Sequence, residues 1–127
     1  MGVLRDGPAS VLFSPVRIRG THRFSNLKGK TFSRELGEAL PNAHRGQSVA
    51  WGIPFHIEQA LVVRGTIIET EISPVKASWF VFMHTSDVRP DKPNEHGFIS
   101  PMHGIGKLGE HAANYVFVYA DGSEERV

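Results

Sequence analysis

The sequence predicts an all-β protein, an antiparallel β-sandwich or barrel with one long loop and at most one short helix. Thirteen glycines and eight prolines separate short apolar runs at fairly regular spacing, as is typical of such folds. One of these runs, Trp79–Met83, is continuously apolar, and another, Tyr115–Tyr119, alternates aromatic and branched side chains. The length of 127 residues favours a single domain over residues 1–127.

The Tyr115–Tyr119 run indicates a strand with large side chains on both faces. Asp121-Gly122 follows, and this pair favours a two-residue type I′ hairpin turn because Gly tolerates positive φ. The sequence ends at Val127, so we expect a return strand shorter than its partner. An incomplete last strand of this kind predicts that a continuing polypeptide or a neighbouring subunit completes the pairing.

The segment Lys76–Thr85 is predicted to be the central strand of the sheet. Its apolar residues, Trp79–Met83, do not alternate with polar ones, which is typical of a strand buried on both faces. Trp51 is likewise interpreted as a core residue, with stacking against a sugar ring as the alternative.

Three further strands and one helix are predicted from local signals. The helix is expected within Phe32–Leu40, because Ser33 can cap its first turn and Pro41 can end it, although Gly37 limits its length. The strands are Val11–Arg19 with an edge or bulge at Pro15, Gln47–Trp51, and Leu61–Ile72 with a turn or bulge at Gly65-Thr66. The segment Gly52–Ile57 follows Gln47–Trp51, with Pro54 at an edge or corner.

Composition excludes several classes of protein and site. The chain has no cysteine, which excludes disulfides, thiolate metal sites and a cysteine nucleophile. The net charge is +1, and the mildly basic N-terminal third lacks any nucleic-acid-binding motif, so no nucleic-acid partner is expected. No apolar run is long enough to cross a bilayer, and no signal peptide precedes the first strand. We expect a soluble chain without a membrane partner, in a compartment that the residues do not identify.

The candidate ligand site lies where the central strand meets the long loop Ser86–Ala113. Loops of this length in a compact domain usually carry function. His84 ends the apolar run and is interpreted either as a cap of the strand or as the wall of a pocket. Charged and imidazole groups near it could bind a hydroxyl-rich ligand through charge-assisted hydrogen bonds. The predicted ligand-binding residues are His84, Asp87, Arg89, His96 and His103.

The seven histidines also allow a metal hypothesis. Four of them lie between residues 84 and 111 together with Asp87, Asp91 and Glu95, and these are suitable ligands for zinc or iron. However, no pair has the HxH or HExxH spacing that brings two ligands together. Nucleophile motifs are also lacking, and the GxGxxG pattern at Gly104–Gly109 lies in a polar loop. No catalytic or metal-binding residue is therefore predicted.

Three segments in order resemble a known group of domains. They are Ala39–Pro41 with Gln47–Ile57, the run Trp79–Thr85 that ends in His-Thr, and Tyr115–Gly122 with its Tyr-Ala-Asp-Gly ending. The sequence here is similar to galactose-binding-like β-sandwich domains, which accompany bacterial glycoside hydrolases and related polysaccharide-active proteins. The match covers about two thirds of the chain, from Ala39 onward, and consists mainly of residues that determine the fold.

The resemblance implies a jelly-roll sandwich that serves as a non-catalytic, carbohydrate-associated accessory module. Such a module binds carbohydrate or packs against an adjacent catalytic domain, and it needs no cofactor, although some of these folds hold a structural calcium ion. An extracellular or periplasmic location would follow. Two alternatives stay open: a metal-dependent cupin-like enzyme that uses the loop histidines, and a structural or assembly domain that self-associates through its incomplete last strand.

Overall fold

The computed structural model describes residues 3–27, 32–87, 95–97 and 111–127. The chain divides into an N-terminal unit, Met1–Trp79, and a C-terminal unit, Phe80–Val127. The described residues contain two small antiparallel sheets and one short helix, in agreement with the all-β class. The elements are α1 (Arg34–Ala39), β1 (Gly46–Ala50), β2 (Ile53–Ile57), β3 (Val116–Val118) and β4 (Glu124–Arg126). The single-domain organisation stays a prediction.

Helix α1 confirms the predicted helical segment and its two ends. The Ser33 hydroxyl accepts a hydrogen bond from the Leu36 N–H at 3.1 Å, which satisfies one of the free donors of the first turn. Arg34 and Glu38 pair at 2.7 Å one turn apart on the exposed face. The chain then passes into a 3₁₀ turn, Leu40–Asn42, that contains Pro41. No helix among the described residues is long and apolar enough to span a membrane.

Strands β1 and β2 form a hairpin in the N-terminal unit, and β1 confirms the predicted strand Gln47–Trp51 to within one residue at each end. Pairing runs from Gly46 opposite Ile57 to Ala50 opposite Ile53. The two loop residues, Trp51 and Gly52, both have positive φ, 51° and 77°, as a type I′ turn requires.

Pro54 lies opposite Val49 in this hairpin, and the pairing explains why a proline fits there. The N–H of Val49 donates to the Leu4 carbonyl at 2.8 Å, and its carbonyl accepts from the Asp6 N–H at 3.3 Å. Val49 therefore directs its polar groups away from β2, towards the N-terminal segment. A residue opposite it needs no N–H, so Pro54 leaves no ladder hydrogen bond unmade.

The core of the N-terminal unit is small. Among the described residues, the buried hydrophobic side chains are Phe24, Leu27 and Val49, with 9%, 2% and 3% of their surface exposed. The guanidinium of Arg45 lies 5.7 Å from the centre of the Phe24 ring, within the range of a cation–π interaction. Stability therefore depends on few side chains.

Ser48 is an exception within this core, because its buried hydroxyl has no hydrogen-bond partner among the residues that the structure describes. Burial of a hydroxyl without a hydrogen bond destabilises the folded state because the hydroxyl loses its hydrogen bonds to water, and alanine has no such group. We expect Ser48→Ala to raise the free energy of unfolding by about 1 kcal/mol in urea denaturation. Ser14→Ala, at an exposed position, is the control and should change it by less than about 0.5 kcal/mol. A destabilised Ser48→Ala variant would mean that the hydroxyl has a partner.

Two predicted strands of the N-terminal unit do not form. Val11–Arg19 and Leu61–Ile72 are irregular, and apolar side chains within them face solvent, including Leu12 and Ile67 at 87% and 93% exposed. Alternation predicts a strand only where a partner strand completes the ladder, and the described residues show no ladder here, only a bridge between His22 and Ala60 beside the two segments. The predicted turn at Gly65-Thr66 is confirmed as a bend, in which Gly65 has a φ of 64°.

The predicted central strand is also wrong. Residues 76–87 have no strand assignment and no backbone hydrogen bond to another described residue. The side chains of Phe80, Val81, Phe82 and Met83 are 39–50% exposed, so the run is not buried on both faces. A continuous apolar run indicates a preference for burial, but neighbouring backbone must supply the ladder that makes it a strand.

Strands β3 and β4 form the terminal hairpin, with Val116 opposite Arg126 and Val118 opposite Glu124. Tyr119 accepts a hydrogen bond from the Gly122 N–H at 2.9 Å and donates one to the Ser123 carbonyl at 2.8 Å. The loop therefore has three residues, Ala120–Gly122, and only Gly122 among them has positive φ, at 84°. This geometry is a turn followed by a glycine bulge, so the predicted two-residue type I′ turn is wrong.

The return strand of this hairpin matches its partner in length. Tyr115 and Val127 exchange both backbone hydrogen bonds at 2.9 Å, so pairing extends to the last residue of the sequence. The predicted incomplete last strand is therefore wrong. The turn is supported by Asp121, whose carboxylate accepts the Ser123 N–H at 2.9 Å and whose pKa is lowered by its hydrogen bonds with Ser123.

Candidate functional site

A group of ring side chains in the C-terminal unit is the main candidate site. Phe82 stacks on Tyr115 with ring centres 4.1 Å apart and an interplanar angle of 20°, and Phe80 contacts Phe117 at 5.0 Å. The spacing of two residues brings alternate side chains of an extended segment to one face, where they meet the side chains of β3. We call this group the aromatic row, and its members are Phe80, Phe82, Tyr115 and Phe117.

The aromatic row is accessible to solvent. Phe80 and Phe82 are 39% and 43% exposed, whereas Tyr115 and Phe117 are half-buried beneath and beside them. Ring pairs at these distances stabilise one another beyond the area that they bury. The row therefore presents an ordered apolar surface rather than isolated side chains.

His84 adds a polar end to the aromatic row. Its Nδ1 lies 2.8 Å from the Tyr115 hydroxyl, at hydrogen-bonding distance, and the two rings are nearly parallel with centres 6.0 Å apart. Burial raises the pKa of Tyr115, which further favours the protonated phenol that tyrosine already has at neutral pH. No strand ends at His84, so its interpretation as a strand cap is wrong.

The other predicted ligand-binding residues are only partly described. Asp87 is exposed, and the His96 side chain is 71% exposed with its Nε2 3.4 Å from the Glu95 carboxylate. Arg89 and His103 lie outside the described residues. The structure thus brings His84 together with Tyr115, and the ligand-binding role of all five predicted residues stays a prediction.

The metal hypothesis finds no cluster in the described part of the chain. There, no three His, Asp or Glu side chains lie close enough together to hold an ion. His56 instead contacts the Glu58 carboxylate at 2.6 Å and lowers the pKa of that group, while His111 contacts the Asn114 side chain at 2.8 Å. Asp91 and His103 are outside the described residues, so the metal-dependent alternative stays a prediction.

Two further features lie in the N-terminal unit, and only the second of them was considered as a ligand contact from the sequence. One is an open groove of about 450 Å³, lined by Arg19, Gly20, Thr21, Ile68, Glu69, Thr70 and Glu71. Its charged and hydroxyl-bearing walls come from two segments that are irregular in the structure, and nothing in the sequence indicates that these two segments lie side by side. The other feature is Trp51, which is 93% exposed at the tip of the β1–β2 hairpin, so its interpretation as a core residue is wrong.

The chain matches no protein-family model, no curated protein and no solved structure at a significant level. The similarity to galactose-binding-like domains therefore depends on its three segments alone. In the structure these segments correspond to the β1–β2 hairpin with the end of α1, to the ring-bearing run that leads to His84, and to the terminal hairpin.

Proposed function

We propose that the chain is a non-catalytic, carbohydrate-associated accessory module, in which the aromatic row and His84 contact sugar. The supporting observation is an exposed row of rings that ends in a hydrogen-bonded imidazole–phenol pair. A sugar ring has an apolar C–H face and a rim of hydroxyls. Exposed rings suit the face, and the His84–Tyr115 pair offers donors and acceptors to the rim.

The proposal includes the fold, an antiparallel sandwich of jelly-roll type. Support comes from the antiparallel pairing of both hairpins and from the three segments that resemble galactose-binding-like domains. A sandwich in an accessory module supplies a rigid support for surface side chains, which is what a weak sugar site needs.

Binding to a glycan array, followed by titration calorimetry on the sugars retained, tests this function. The decisive variant is Tyr115→Phe, because it keeps the ring that stacks on Phe82 and removes only the hydroxyl that contacts His84. We expect about tenfold weaker binding, the equivalent of one lost hydrogen bond of about 1.4 kcal/mol. His44→Ala, at an exposed histidine of the N-terminal unit, is the control and should bind as the wild type does.

Two results would contradict the proposal. The first is that no glycan binds the wild-type chain even at millimolar concentration. The second is that glycans bind but Tyr115→Phe binds as tightly as His44→Ala and the wild type, which would remove the hydrogen-bonded His84–Tyr115 pair from the site.

A role in assembly is the second candidate function, and the exposed run Phe80–Met83 favours it. Four consecutive large apolar side chains, each 39–50% exposed, leave apolar area along this segment that a second protein could cover. Strand β4 is a less suitable contact, because Glu124–Arg126 places charges along that edge and charged edges resist strand addition. Concentration-dependent sedimentation that Phe82→Ser abolishes would support assembly, whereas a monomer at all concentrations would count against self-association.

A further inference from the structure

Trp51 has a backbone conformation that its side chain disfavours. It is the only non-glycine among the described residues with positive φ, at 51°. Such a φ is uncommon for any residue with a Cβ and an outlier for a bulky one. At the first position of a type I′ turn, Asn, Asp or Gly is preferred for this reason.

Two contacts from the N-terminal segment hold the hairpin tip in this conformation. The Asp6 carboxylate accepts a hydrogen bond from the Trp51 N–H at 2.7 Å, and the Ser10 N–H donates to the Gly52 carbonyl at 2.7 Å. Asp6 is itself anchored, because its own N–H donates to Val49 in β1. Strained conformations persist where the surroundings determine them in this way, and they concentrate at ligand contacts.

The strain is not offset by burial of the indole. The Trp51 side chain is 93% exposed, so it contributes almost nothing to the core. Asn at the same position would fit the turn better and would leave no large apolar ring in water. A residue that is unfavourable for both the backbone and the surface is best explained by something that the ring contacts in the bound state.

We propose that Trp51 is a second sugar-contacting residue, a stacking platform for the C–H face of one pyranose ring. This inference rests on the proposed carbohydrate-associated function. A sugar fits better than a protein partner, because protein hot spots lie within a surrounding ring of contacts, whereas this indole projects alone from a tight turn. The indole N–H and the second carboxylate oxygen of Asp6 can hydrogen-bond hydroxyls beside the ring.

Fluorescence reports on this contact directly, because the chain has only two tryptophans. Trp79→Phe leaves Trp51 as the sole emitter. The variant is titrated with a panel of soluble cello-, xylo- and galacto-oligosaccharides. We expect a saturable change in Trp51 emission with the sugars that bind the wild-type chain, and no change with those that do not.

Two substitutions at Trp51 separate the effect of the indole ring on binding from the effect of the residue on the turn. Trp51→Asn creates Asn-Gly, the preferred type I′ pair, so we expect the melting temperature to rise by about 3 °C while sugar affinity falls about tenfold. Trp51→Tyr keeps a ring and should keep binding within about threefold of the wild type. A variant that is more stable and binds less well cannot owe its lost binding to misfolding.

The outcomes distinguish this inference from the function on which it rests. Equal sugar binding by the wild type and Trp51→Asn would overturn the role of Trp51 and leave the proposed function intact. No sugar binding by the wild type would overturn both. A lower melting temperature of Trp51→Asn would refute the argument from strain. An emission change that follows protein concentration without sugar would assign the hairpin tip to contacts between copies instead.

Discussion

Leu27→Ala is expected to lower the free energy of unfolding of the N-terminal unit by about 3 kcal/mol. Leu27 is 2% exposed and belongs, with Phe24 and Val49, to the few buried hydrophobic side chains among the described residues. Truncation removes the transfer free energy of its methyl groups and leaves a cavity that the short 3₁₀ turn preceding it, Phe24–Asn26, cannot fill. With so small a core, this loss is a large fraction of the total stability.

Urea denaturation followed by far-UV circular dichroism measures this effect. Leu12→Ala is the matched control, since Leu12 belongs to the same unit but is 87% exposed, and it should change stability by less than about 0.5 kcal/mol. Equal effects of the two substitutions would show that Leu27 is not part of the core. A change in the slope of the transition would instead indicate a change in the surface exposed on unfolding.

The elements that the sequence predicts correctly are those whose signals are local. Ser33 and Pro41 bracket α1 within a few residues, and the hydroxyl of Ser33 makes the capping bond that its position predicts. The strands Gly46–Ala50 and Ile53–Ile57 pair across a two-residue loop, so each residue pairs with one that is close to it in the sequence. Local rules suffice for these elements because both partners of each contact lie within one short segment.

The predictions fail where the partner lies far along the chain. The run Trp79–Met83 has the composition of a buried strand, but burial depends on what covers it, and that information is not contained in the run. The irregular segment Val11–Arg19 fails for the same reason, since no described strand pairs with it. Hydrophobicity predicts that a segment tends to be buried, but the topology of the chain decides whether another element packs against it.

Turn chemistry shows a different kind of error. Asp121-Gly122 has the preferred sequence for a type I′ turn, yet the type I′ geometry forms at Trp51-Gly52, where propensity disfavours it. At Trp51 the hydrogen bond to Asp6 and the β1–β2 register override the local preference. A residue that a turn disfavours, such as Trp51, is therefore more informative about function than a residue that the turn prefers.

The candidate site was predicted in part. His84 stands out because it ends an apolar run, and the structure places it against Tyr115, 31 residues away. The stacking of Phe82 on Tyr115 could not be predicted, because it requires the register between two segments that share no ladder hydrogen bond among the described residues. The sequence therefore indicated one polar residue of the candidate site, whose ligand-binding role stays a prediction, and it did not indicate the ring surface beside it.

Gly20→Ala is expected to destabilise the N-terminal unit by about 3 kcal/mol, near the upper end for an overpacked position. A Cβ at residue 20 would lie 2.5 Å from the Cβ of Gln59 and 2.8 Å from the Ala60 carbonyl oxygen. Part of that clash is with backbone, which cannot move aside by rotating a side chain. The Thr21 and His22 N–H groups both donate to the same Ala60 carbonyl, so relief of the clash would break the bridge between the two segments.

Gly37→Ala supplies the opposite result from the same chemical change. Gly37 lies within α1, and apart from the adjacent residues and the helix backbone no described atom lies within 4 Å of a Cβ built there, so alanine adds helix propensity without a clash. We expect this variant to be about 0.5–1 kcal/mol more stable than the wild type in the same urea titration. If both variants were less stable than the wild type, the loss of stability would not be specific to the close contacts of residue 20. Changes of opposite sign in the free energy of unfolding would show that the loss at residue 20 comes from its close approach to residues 59 and 60. This close approach also positions the wall of the groove that contains Arg19 and Thr21.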